Sequence, residues 1–365
     1  MSDVLLCAKH KKNCYFYFFY VMMTQKDFFV RDKMKKTAII GVMTSAGREL
    51  LNMLEENGVA ADDIFAVDAD CPLGTQISYG EDVDMDVYNL RDFDFASAEI
   101  AVFAVSEELA KHYVPRAVAK GARVIDCSGA YAADADVPLV IAGLNDEKIT
   151  PEVKTVAVPS PMVAQILLPL KEIADKLKIK RLVINGYMAV SLYGKEAMDE
   201  LFNQTRKIFM NEPLVDDENV FHKQIAFNVL PQVGEFIGDE TKYEWALNAQ
   251  IKKILNPDIK VHANCAFVPA FIGVGAFVNA ECGKEVDVDD VRNLMRETKG
   301  VVVFDKHVDC GYVSLNDVQS ESDVYVSRLR QDVSVKNGFS FWCAADDLRA
   351  GTAQNAYNIL QLLLK

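Results

Sequence analysis

The sequence predicts an α/β fold in which a doubly wound parallel sheet is joined to an α+β domain with a mixed sheet. Between residues 37 and 158, short apolar strand patterns alternate with amphipathic helix patterns, as in parallel βαβ units with right-handed crossovers. Beyond residue 178, strand patterns follow one another with few helices between them, which is typical of a mixed or antiparallel sheet. The chain has 365 residues, 50% of them hydrophobic, so its length and composition favour more than one domain.

The first half of the chain alternates strands and helices. Apolar runs predict strands at Thr37–Gly41, Ile64–Asp68, Ile100–Val105, Arg123–Asp126 and Thr155–Val158. Helical periodicity predicts helices at Ala46–Asn57 and Glu107–Lys120, and Gly121 follows the second as its C-cap. Two acidic runs, Asp82–Asp86 and Glu285–Asp290, are interpreted as solvated faces or helix N-termini.

The second half of the chain contains longer elements. Helical periodicity predicts helices at Met162–Lys178, Glu196–Phe209 and Gly351–Leu364. Strand patterns occur at Arg181–Val190, Val261–Val268, Phe271–Ala280, Val301–Phe304, Val324–Arg330 and Phe339–Ala345. We therefore expect a mixed sheet in this half.

The first 33 residues differ from the rest of the chain. Residues 14–23 form an apolar run after three lysines and a histidine, but no small-x-small cleavage site follows. The run is shorter than the roughly 20 residues that span a bilayer. We interpret 1–33 as an extension that is disordered or that results from an over-extended gene start, with Met34 as the natural initiator. A membrane anchor is the alternative.

Net charge and cysteine spacing argue against several functions. The formal net charge is −14 and no basic stretch exceeds Lys33–Lys36, so we expect no nucleic-acid partner. The eight cysteines form no CxxC pair and the five histidines do not cluster near them, so we expect no metal site. With no credible secretion signal, this pattern predicts a cytoplasmic protein with reduced thiols and no membrane partner.

The loop from Gly41 to Gly47 lies between a predicted strand and helix, where a dinucleotide fingerprint belongs. Glycines there allow a tight turn, and the backbone N–H groups of Thr44, Ser45 and Ala46 can approach a pyrophosphate. Thr44 occupies the position of the middle glycine, so the motif is incomplete. Two readings remain open: a Rossmann-type domain that binds a dinucleotide, and one that no longer does.

Asp68 ends the second predicted strand. An acidic residue there accepts hydrogen bonds from an adenosine ribose and repels a 2′-phosphate. If a dinucleotide binds, we expect NAD to be preferred over NADP. A solvated carboxylate at the strand end is the alternative.

Four segments carry a resemblance that extends over nearly the whole chain after Met34. The pattern VIDNSSAF with DVPLV is similar to Val124–Tyr131 with Asp136–Val140, and the pattern SGAG with AMDEL is similar to Ser191–Gly194 with Ala197–Leu201. The pattern IAFNxxP is similar to Gln224–Pro231, and FWxxADNLRKG is similar to Phe341–Gly351. On these motifs the sequence resembles the aspartate-semialdehyde dehydrogenase family, and within it the USG-1 type paralogues that lack the catalytic cysteine.

The resemblance implies two domains and a known chemistry. Residues 34–160 with 345–365 correspond to a Rossmann-type dinucleotide-binding domain, and 161–344 to a substrate and dimerisation domain. The family converts an acyl phosphate to an aldehyde: a cysteine thiolate forms a thioester, nicotinamide exchanges the hydride, and a histidine handles the proton. A soft nucleophile, a base of near-neutral pKa and cations for the substrate's anions are the groups that this reaction requires.

At the nucleophile, the family pattern NPNCSTIQ corresponds to Val158–Gln165, which places Pro161 at the cysteine and retains Gln165. Proline offers neither a nucleophile nor a backbone N–H. The pattern RVPVxxGH places Phe267 at the substrate arginine and Val274 at the histidine. A phenyl ring cannot clamp a carboxylate, and valine cannot move a proton.

Three further family positions have changed. Ala132 stands at the phosphate-binding arginine, and Ala246 stands at the lysine of the EExK helix, where Glu244 is retained. Asp347 replaces the C-terminal asparagine. The resemblance therefore predicts no catalytic residues and loss of the phosphorylating dehydrogenase activity. Cys127, at a family asparagine, is a conceivable relocated thiol, but it lacks the histidine and both arginines.

Three functional hypotheses follow. The leading one is a non-catalytic homodimer, with the apolar strands Arg181–Val190 and Phe271–Ala280 supplying the interface. The second is an NAD-dependent oxidoreductase acting on an uncharged carbonyl, with Phe267 and Val274 lining an apolar pocket. The third is a regulatory partner that forms mixed dimers with an active paralogue.

Overall fold

Two β-sheets carry the fold of residues 35–214 and 219–365, which this computed structural model describes. The expectations for residues 1–33 lie outside these described residues. The predicted α/β class is confirmed, with a largely parallel sheet in the first part of the chain and a mixed sheet in the second.

The first sheet contains seven strands in the order β3-β4-β2-β1-β5-β6-β7. Its strands are β1 (Thr37–Ile40), β2 (Ile64–Asp68), β3 (Gln76–Tyr79), β4 (Val83–Asn89), β5 (Ile100–Phe103), β6 (Arg123–Asp126) and β7 (Thr155–Ala157), and its helices are α1 (Ser45–Glu56) and α2 (Glu107–Ala119). Every neighbouring pair is parallel except β3 with β4. Strands β1 and β5 are buried along their whole length, which explains their continuous apolar runs.

The acidic run Asp82–Asp86 is solvated, as one of its two interpretations expects, and most of it lies in strand β4, which no sequence pattern predicted. Asp84 and Asp86 face solvent there, while Met85 and Val87 between them are buried. Exposed and buried residues alternate as in a strand with one solvated face, but the run of carboxylates hides this alternation in the sequence. The second acidic run does precede a helix, with Asp287 as its N-cap.

The second sheet contains six strands in the order β11-β8-β12-β15-β14-β13. Its strands are β8 (Ile179–Met188), β11 (Lys260–Phe267), β12 (Val274–Cys282), β13 (Val301–Val303), β14 (Val324–Gln331) and β15 (Gly338–Ala345), with a small hairpin of β9 (Phe236–Ile237) and β10 (Glu240–Thr241) beside it. The helices of this half are α3 (Pro161–Leu177), α4 (Gly194–Phe209), α5 (Lys242–Ile254), α6 (Val288–Glu297) and α7 (Gln354–Leu364). The sheet is mixed as predicted, since β8 is parallel to β11 and antiparallel to β12.

One face of this second sheet packs on α3 and the other is partly open. Leu182, Ile184 and Met188 of β8 are buried in the main core. On the opposite face, the rings of Tyr187 and Phe277 surround Trp342, with centroids 6.0 and 5.0 Å from it. The described residues cover this aromatic face only in part.

The C-terminal helix begins later than its periodicity predicts. Residues Arg349–Ala353 form a wider, π-type turn, and regular α-helix begins only at Gln354. The backbone of Gly351 approaches the start of α3 so closely that a Cβ there would lie 2.5 Å from the Cβ of Pro161. Helix α7 then returns to the first sheet, where it contacts α1 and β6. Among the described residues no helix is long and apolar enough to cross a membrane.

Candidate functional site

A cleft of about 500 Å³ lies at the carboxyl ends of β6 and β7 and extends to the start of α5. Cys127 and Val158, which directly follow these two strands, are among its lining residues. Ligands of open α/β sheets bind outside the carboxyl ends of the strands, so this cleft is the candidate site. Apolar side chains predominate in its walls, among them Leu192, Val233 and Trp245.

Charged side chains of the cleft lining pair with one another. Lys242 Nζ donates to Glu107 Oε1 over 3.1 Å, and Lys111 Nζ donates to Glu107 Oε2 over 3.4 Å. Burial opposes ionisation of Glu107, but the two lysines outweigh it and hold the pKa of this carboxyl below its usual value. The two lysines share this single carboxylate, so the three side chains together carry a net charge of +1.

The predicted nucleotide loop has the geometry of a tight strand-to-helix turn. Gly41 adopts φ +94°, and a Cβ there would lie 2.3 Å from the carbonyl oxygen of Ala104. A Cβ on Gly47 would lie 2.0 Å from the carbonyl oxygen of Gly41, so both glycines are required by close backbone approach. Thr44 is the N-cap of α1, and its hydroxyl accepts a hydrogen bond from Gly47 N. Thr44, which stands where the fingerprint has its middle glycine, thus serves as a helix cap.

Met43 and Thr44 at the tip of this loop are exposed, and Ser45 and Ala46 are half-buried. Asp68 reaches the same tip, because its Oδ2 accepts a hydrogen bond from Met43 N over 2.8 Å. Its Oδ1 accepts from Ala69 N. A carboxylate oxygen has capacity for more than one donor, so this arrangement leaves room for a ribose hydroxyl. The loop and Asp68 therefore fit a dinucleotide.

Pro161 stands at the first position of α3 and lines the cleft. This is the helix position that proline tolerates best, since the N–H it lacks has no partner inside the helix. The preceding residue, Ser160, is the N-cap, yet its hydroxyl makes no capping hydrogen bond. Ser160 N donates to Gln250 Oε1 over 2.8 Å, which joins this end of α3 to α5.

The structure brings Ala132, Ala246 and Cys127 to the same cleft as Pro161. The two alanines line it where the family resemblance places a cation. Burial raises the pKa of the Cys127 thiol far above its usual value, and the negative charge of Asp126 raises it further. The thiol is the protonated, weakly nucleophilic form at neutral pH.

Glu244 is retained but is engaged in holding the backbone. Its Oε2 accepts from both the backbone N and the hydroxyl of Thr241, in a capping box at the start of α5. Its Oε1 accepts from Cys265 N over 2.9 Å and joins α5 to β11. These contacts fix the first turn of α5, and with it Tyr243.

Phe267 lies outside the cleft lining in an aromatic cluster. Its ring centroid is 4.8 Å from that of Tyr193 and 5.1 Å from that of Phe221, and only 1% of the residue is exposed. Tyr193 itself lines the cleft, and its hydroxyl accepts a hydrogen bond from Gly234 N. Three rings therefore fill the volume around the position where the resemblance places the substrate arginine.

Val274 is fully buried at the start of β12, paired with Met188 and Ala345. Beside it, the Asp347 carboxylate accepts hydrogen bonds from Gly273 N and from the hydroxyl of Ser191. Burial raises the pKa of Asp347 to about 6, against the lowering effect of these donors. Asp347 thus links two of the segments that carry the family resemblance.

Three side chains have buried polar atoms that make no hydrogen bond of ordinary geometry in the part of the chain that the structure describes. They are Gln165, one turn along α3 from Pro161, together with Ser160 and Tyr243. Sequence reasoning singled out Gln165 but missed the two hydroxyls, and it also missed Tyr193 and the cluster it forms. Of the residues missed, only Tyr243 had a signal in the sequence, because it stands where the EExK pattern has its first glutamate.

Comparisons with known proteins agree with the fold. Residues 36–151 match the family model described as semialdehyde dehydrogenase, NAD binding domain, and residues 170–350 match the semialdehyde dehydrogenase dimerisation domain. The chain is 34% identical to an aspartate-semialdehyde dehydrogenase of Rickettsia bellii over 331 residues, covering 90% of this chain and 97% of the relative. An equivalent protein of Aquifex aeolicus is 32% identical, with 90% of this chain and 98% of that protein covered.

A solved structure gives the same result. Aspartate semialdehyde dehydrogenase II from Vibrio cholerae matches with a TM-score of 0.86 and 31% identity, covering 91% of this chain and 99% of that one. Fold, sequence and both family models agree over the region that begins near residue 36. The chain belongs to the aspartate-semialdehyde dehydrogenase family.

Proposed function

We propose that this chain is a member of its family that has lost the phosphorylating dehydrogenase reaction, of the USG-1 type. It retains the scaffold, forms a homodimer and binds NAD in preference to NADP. The observation that carries the proposal is Pro161 in the cleft, at the position of the family's cysteine. A proline side chain cannot attack an aldehyde, so no thioester forms there.

The remaining thiol of the cleft lining does not replace the missing cysteine. Cys127 is held as a neutral thiol by burial and by the neighbouring Asp126. Activated cysteines instead lie next to a cation or a histidine, which lowers the thiol pKa. The position of the family's histidine is occupied by Val274, fully buried in the sheet.

Anion binding is also reduced. Ala132 and Ala246 leave two cation positions of the cleft without charge. Phe267, which lies outside the cleft lining, places an aromatic ring at a third cation position of the family. The two lysines of the lining, Lys111 and Lys242, share the single carboxylate of Glu107, which leaves one net positive charge. For a doubly anionic acyl phosphate, that one charge offsets only part of the lost hydration.

The cofactor and dimer parts of the proposal have separate support. The glycine turn from Gly41 to Gly47 and the position of Asp68 at its tip fit a dinucleotide without a 2′-phosphate. The half-covered aromatic face of Tyr187, Phe277 and Trp342 suits burial against a second copy of the same face. The match to a dimerisation domain favours the same assembly.

The test is an activity assay on the purified full chain. With aspartate semialdehyde, phosphate and NADP or NAD, we expect no formation of reduced cofactor above the enzyme-free control. The Pro161→Cys variant should be equally inactive, because the histidine and the arginines are still missing. A semialdehyde dehydrogenase of known activity serves as the positive control. Sustained turnover by the unmodified chain would overturn the proposal.

A further inference from the structure

Four large apolar side chains beside the second sheet are between 53% and 78% exposed. We call them the edge patch: Phe202 and Phe209 on α4, and Phe227 and Val229 in the loop before β9. The rings of Phe209 and Phe227 are in contact, with centroids 5.7 Å apart. Phe202 lies two turns before Phe209 on the same side of the helix. Contiguous exposed apolar surface marks an interaction site, whereas single exposed apolar residues are ordinary.

The backbone of Phe227 adopts a conformation that is unfavourable for a bulky residue. Its φ is +60°, in the left-handed region. Phe227 is the third residue of a turn in which Asn228 N donates to Ile225 O, and a positive φ at this position favours glycine or asparagine. Strained residues persist where the surrounding structure fixes them, and they are common at binding surfaces.

The buried side chain of Gln204, on α4, fixes this turn. Its Oε1 accepts hydrogen bonds from Ile225 N over 2.9 Å and from Ala226 N over 3.1 Å. Within the loop, Asn228 Nδ2 donates to Gln224 O. The turn therefore holds the ring of Phe227 in an exposed position against α4, as a contact surface formed before any partner binds.

The edge patch continues the open aromatic face of the second sheet. Leu230 exchanges two backbone hydrogen bonds with Phe267, at the end of the edge strand β11. Opposed residues of an antiparallel pair point to the same side of a sheet, and the residues next to them point to the other side. Leu230 and Phe267 pack on the core, so Val229 is placed on the opposite face, next to Val268. Val268 lines an apolar hollow of about 390 Å³ in the aromatic face.

The extent of this combined surface suits a second copy of the chain. A stable dimer buries about 800 Å² on each partner. A large side chain that is half exposed offers roughly 100 Å², so the three rings of the aromatic face alone fall well short of that area. The edge patch adds roughly 400 Å² of continuous apolar surface. Both surfaces lie within residues 170–350, which match the dimerisation domain.

We propose that the edge patch packs against a second copy of this chain, so that the homodimer interface extends from the aromatic face past β11 to the end of α4. Two-fold symmetry brings the same patch of both copies into the interface. Association then buries the ring that the strained turn holds in solvent. This inference rests on the homodimer of the proposed function and names the surface beyond the sheet that the homodimer buries.

Hydroxyl-radical labelling, read by mass spectrometry of peptides, measures the burial of these rings in solution. In the dimer of the unmodified chain, we expect Phe209 and Phe227 to be oxidised several-fold more slowly than in a Phe277→Glu variant, whose aromatic face no longer associates. Leu73, fully exposed in the first part of the chain, is the internal reference and should be oxidised equally in both.

The variant Phe227→Asn then tests the contact itself. It removes the ring and keeps a residue that tolerates a positive φ, so the subunit should keep its fold and its circular dichroism spectrum. We expect the dissociation constant of the dimer, measured by sedimentation velocity, to rise about tenfold or more, as for the loss of an aromatic side chain from an interface. Leu73→Asn is the matched control and should leave the dissociation constant unchanged.

Two results would overturn the inference and leave the homodimer in place: equal oxidation of Phe209 and Phe227 in dimer and monomer, or an unchanged dissociation constant in Phe227→Asn. A monomeric unmodified chain would instead overturn the homodimer, and this inference with it. None of these results depends on turnover of aspartate semialdehyde, so the loss of catalysis is tested separately.

Discussion

The ring of Phe267 packs against the ring of Tyr193 with their centroids 4.8 Å apart, and the two join the end of β11 to a wall of the cleft. Phe221 contacts both rings. The cluster shows that the aromatic residue at the family's arginine position belongs to a packed core. The single substitution Phe267→Arg would therefore place a charged group among aromatic rings.

Phe267→Arg should be strongly destabilising for that reason. Burying a guanidinium at a site that is 1% exposed, between two aromatic rings, costs about 3 kcal/mol or more of unfolding free energy. Phe267→Leu keeps the site apolar and serves as the control, with an expected loss of about 1–2 kcal/mol. Urea unfolding monitored by circular dichroism measures both variants. Equal stability of Phe267→Arg and Phe267→Leu would contradict the role of the cluster.

Asp347→Asn should stabilise the protein at neutral and alkaline pH. Burial raises the pKa of Asp347 from 3.8 to about 6, so the folded state holds a proton that the unfolded state has lost between these values. Stability therefore falls as the pH rises from about 4 through about 6, by up to roughly 3 kcal/mol, and the amide variant avoids this loss.

Thermal unfolding of Asp347→Asn and the unmodified chain between pH 4 and pH 8 checks this expectation. The gap in melting temperature should widen from about pH 4 to about pH 6 and stay constant above that. Asp84→Asn, at an exposed position of β4, is the matched control and should show no such gap. A constant difference across the whole range would show that Asp347 is ionised throughout.

NAD should bind more tightly than NADP, and Asp68 should cause the difference. A 2′-phosphate would lie near a carboxylate that is fixed at the tip of the nucleotide loop by Met43 N. In calorimetric titrations, Asp68→Ala should reduce the preference about tenfold, while Asp70→Ala, two residues along and exposed, should preserve it. Tighter binding of NADP by the unmodified chain would refute this assignment.

The open face of the second sheet should form a two-fold symmetric homodimer. Phe277→Glu places a charge beside Trp342 in that face and should shift the protein to monomers at low micromolar concentration. Tyr88→Glu, on the first sheet, should remain dimeric. Light scattering gives the mass of each variant. A monodisperse species near one chain mass for the unmodified protein would refute the dimer.

A mixed dimer with an active paralogue is tested by a separate co-expression experiment. Native mass spectrometry of the protein co-expressed with such a paralogue separates homodimers from mixed dimers by mass. Homodimers alone are the result that the proposal expects. A dominant mixed species would favour the regulatory-partner hypothesis instead.

Local pattern predicted most of the fold, because buried parallel strands such as β1 and β5 have unmistakable apolar runs. Strand β4 was missed since its exposed positions carry Asp84 and Asp86, which hide a period of two. Motif order alone assigns Pro161, Phe267 and Val274 to three family positions, and that assignment stays a prediction. What the sequence could not show is how distant side chains meet.

Two features of the site depend on contacts between residues that are far apart in the sequence. Tyr193 and Phe267 are 74 residues apart in the sequence, and no local pattern pairs them. Ser160 and Tyr243 are recognisable as unpaired hydroxyls only once the surrounding donors and acceptors are known. The sequence thus supports a prediction of which family positions are replaced, whereas the side chains that surround those positions are seen only in the structure.

The absence of a covalent intermediate is the most direct test of lost catalysis. The intact mass of the full chain is measured by mass spectrometry after mixing with aspartate semialdehyde and NAD or NADP, with phosphate left out so that any thioester persists. We predict an unchanged mass, because Pro161 has no nucleophile and Cys127 stays protonated. A cofactor-dependent aspartyl adduct that maps to Cys127 by peptide sequencing would contradict the account.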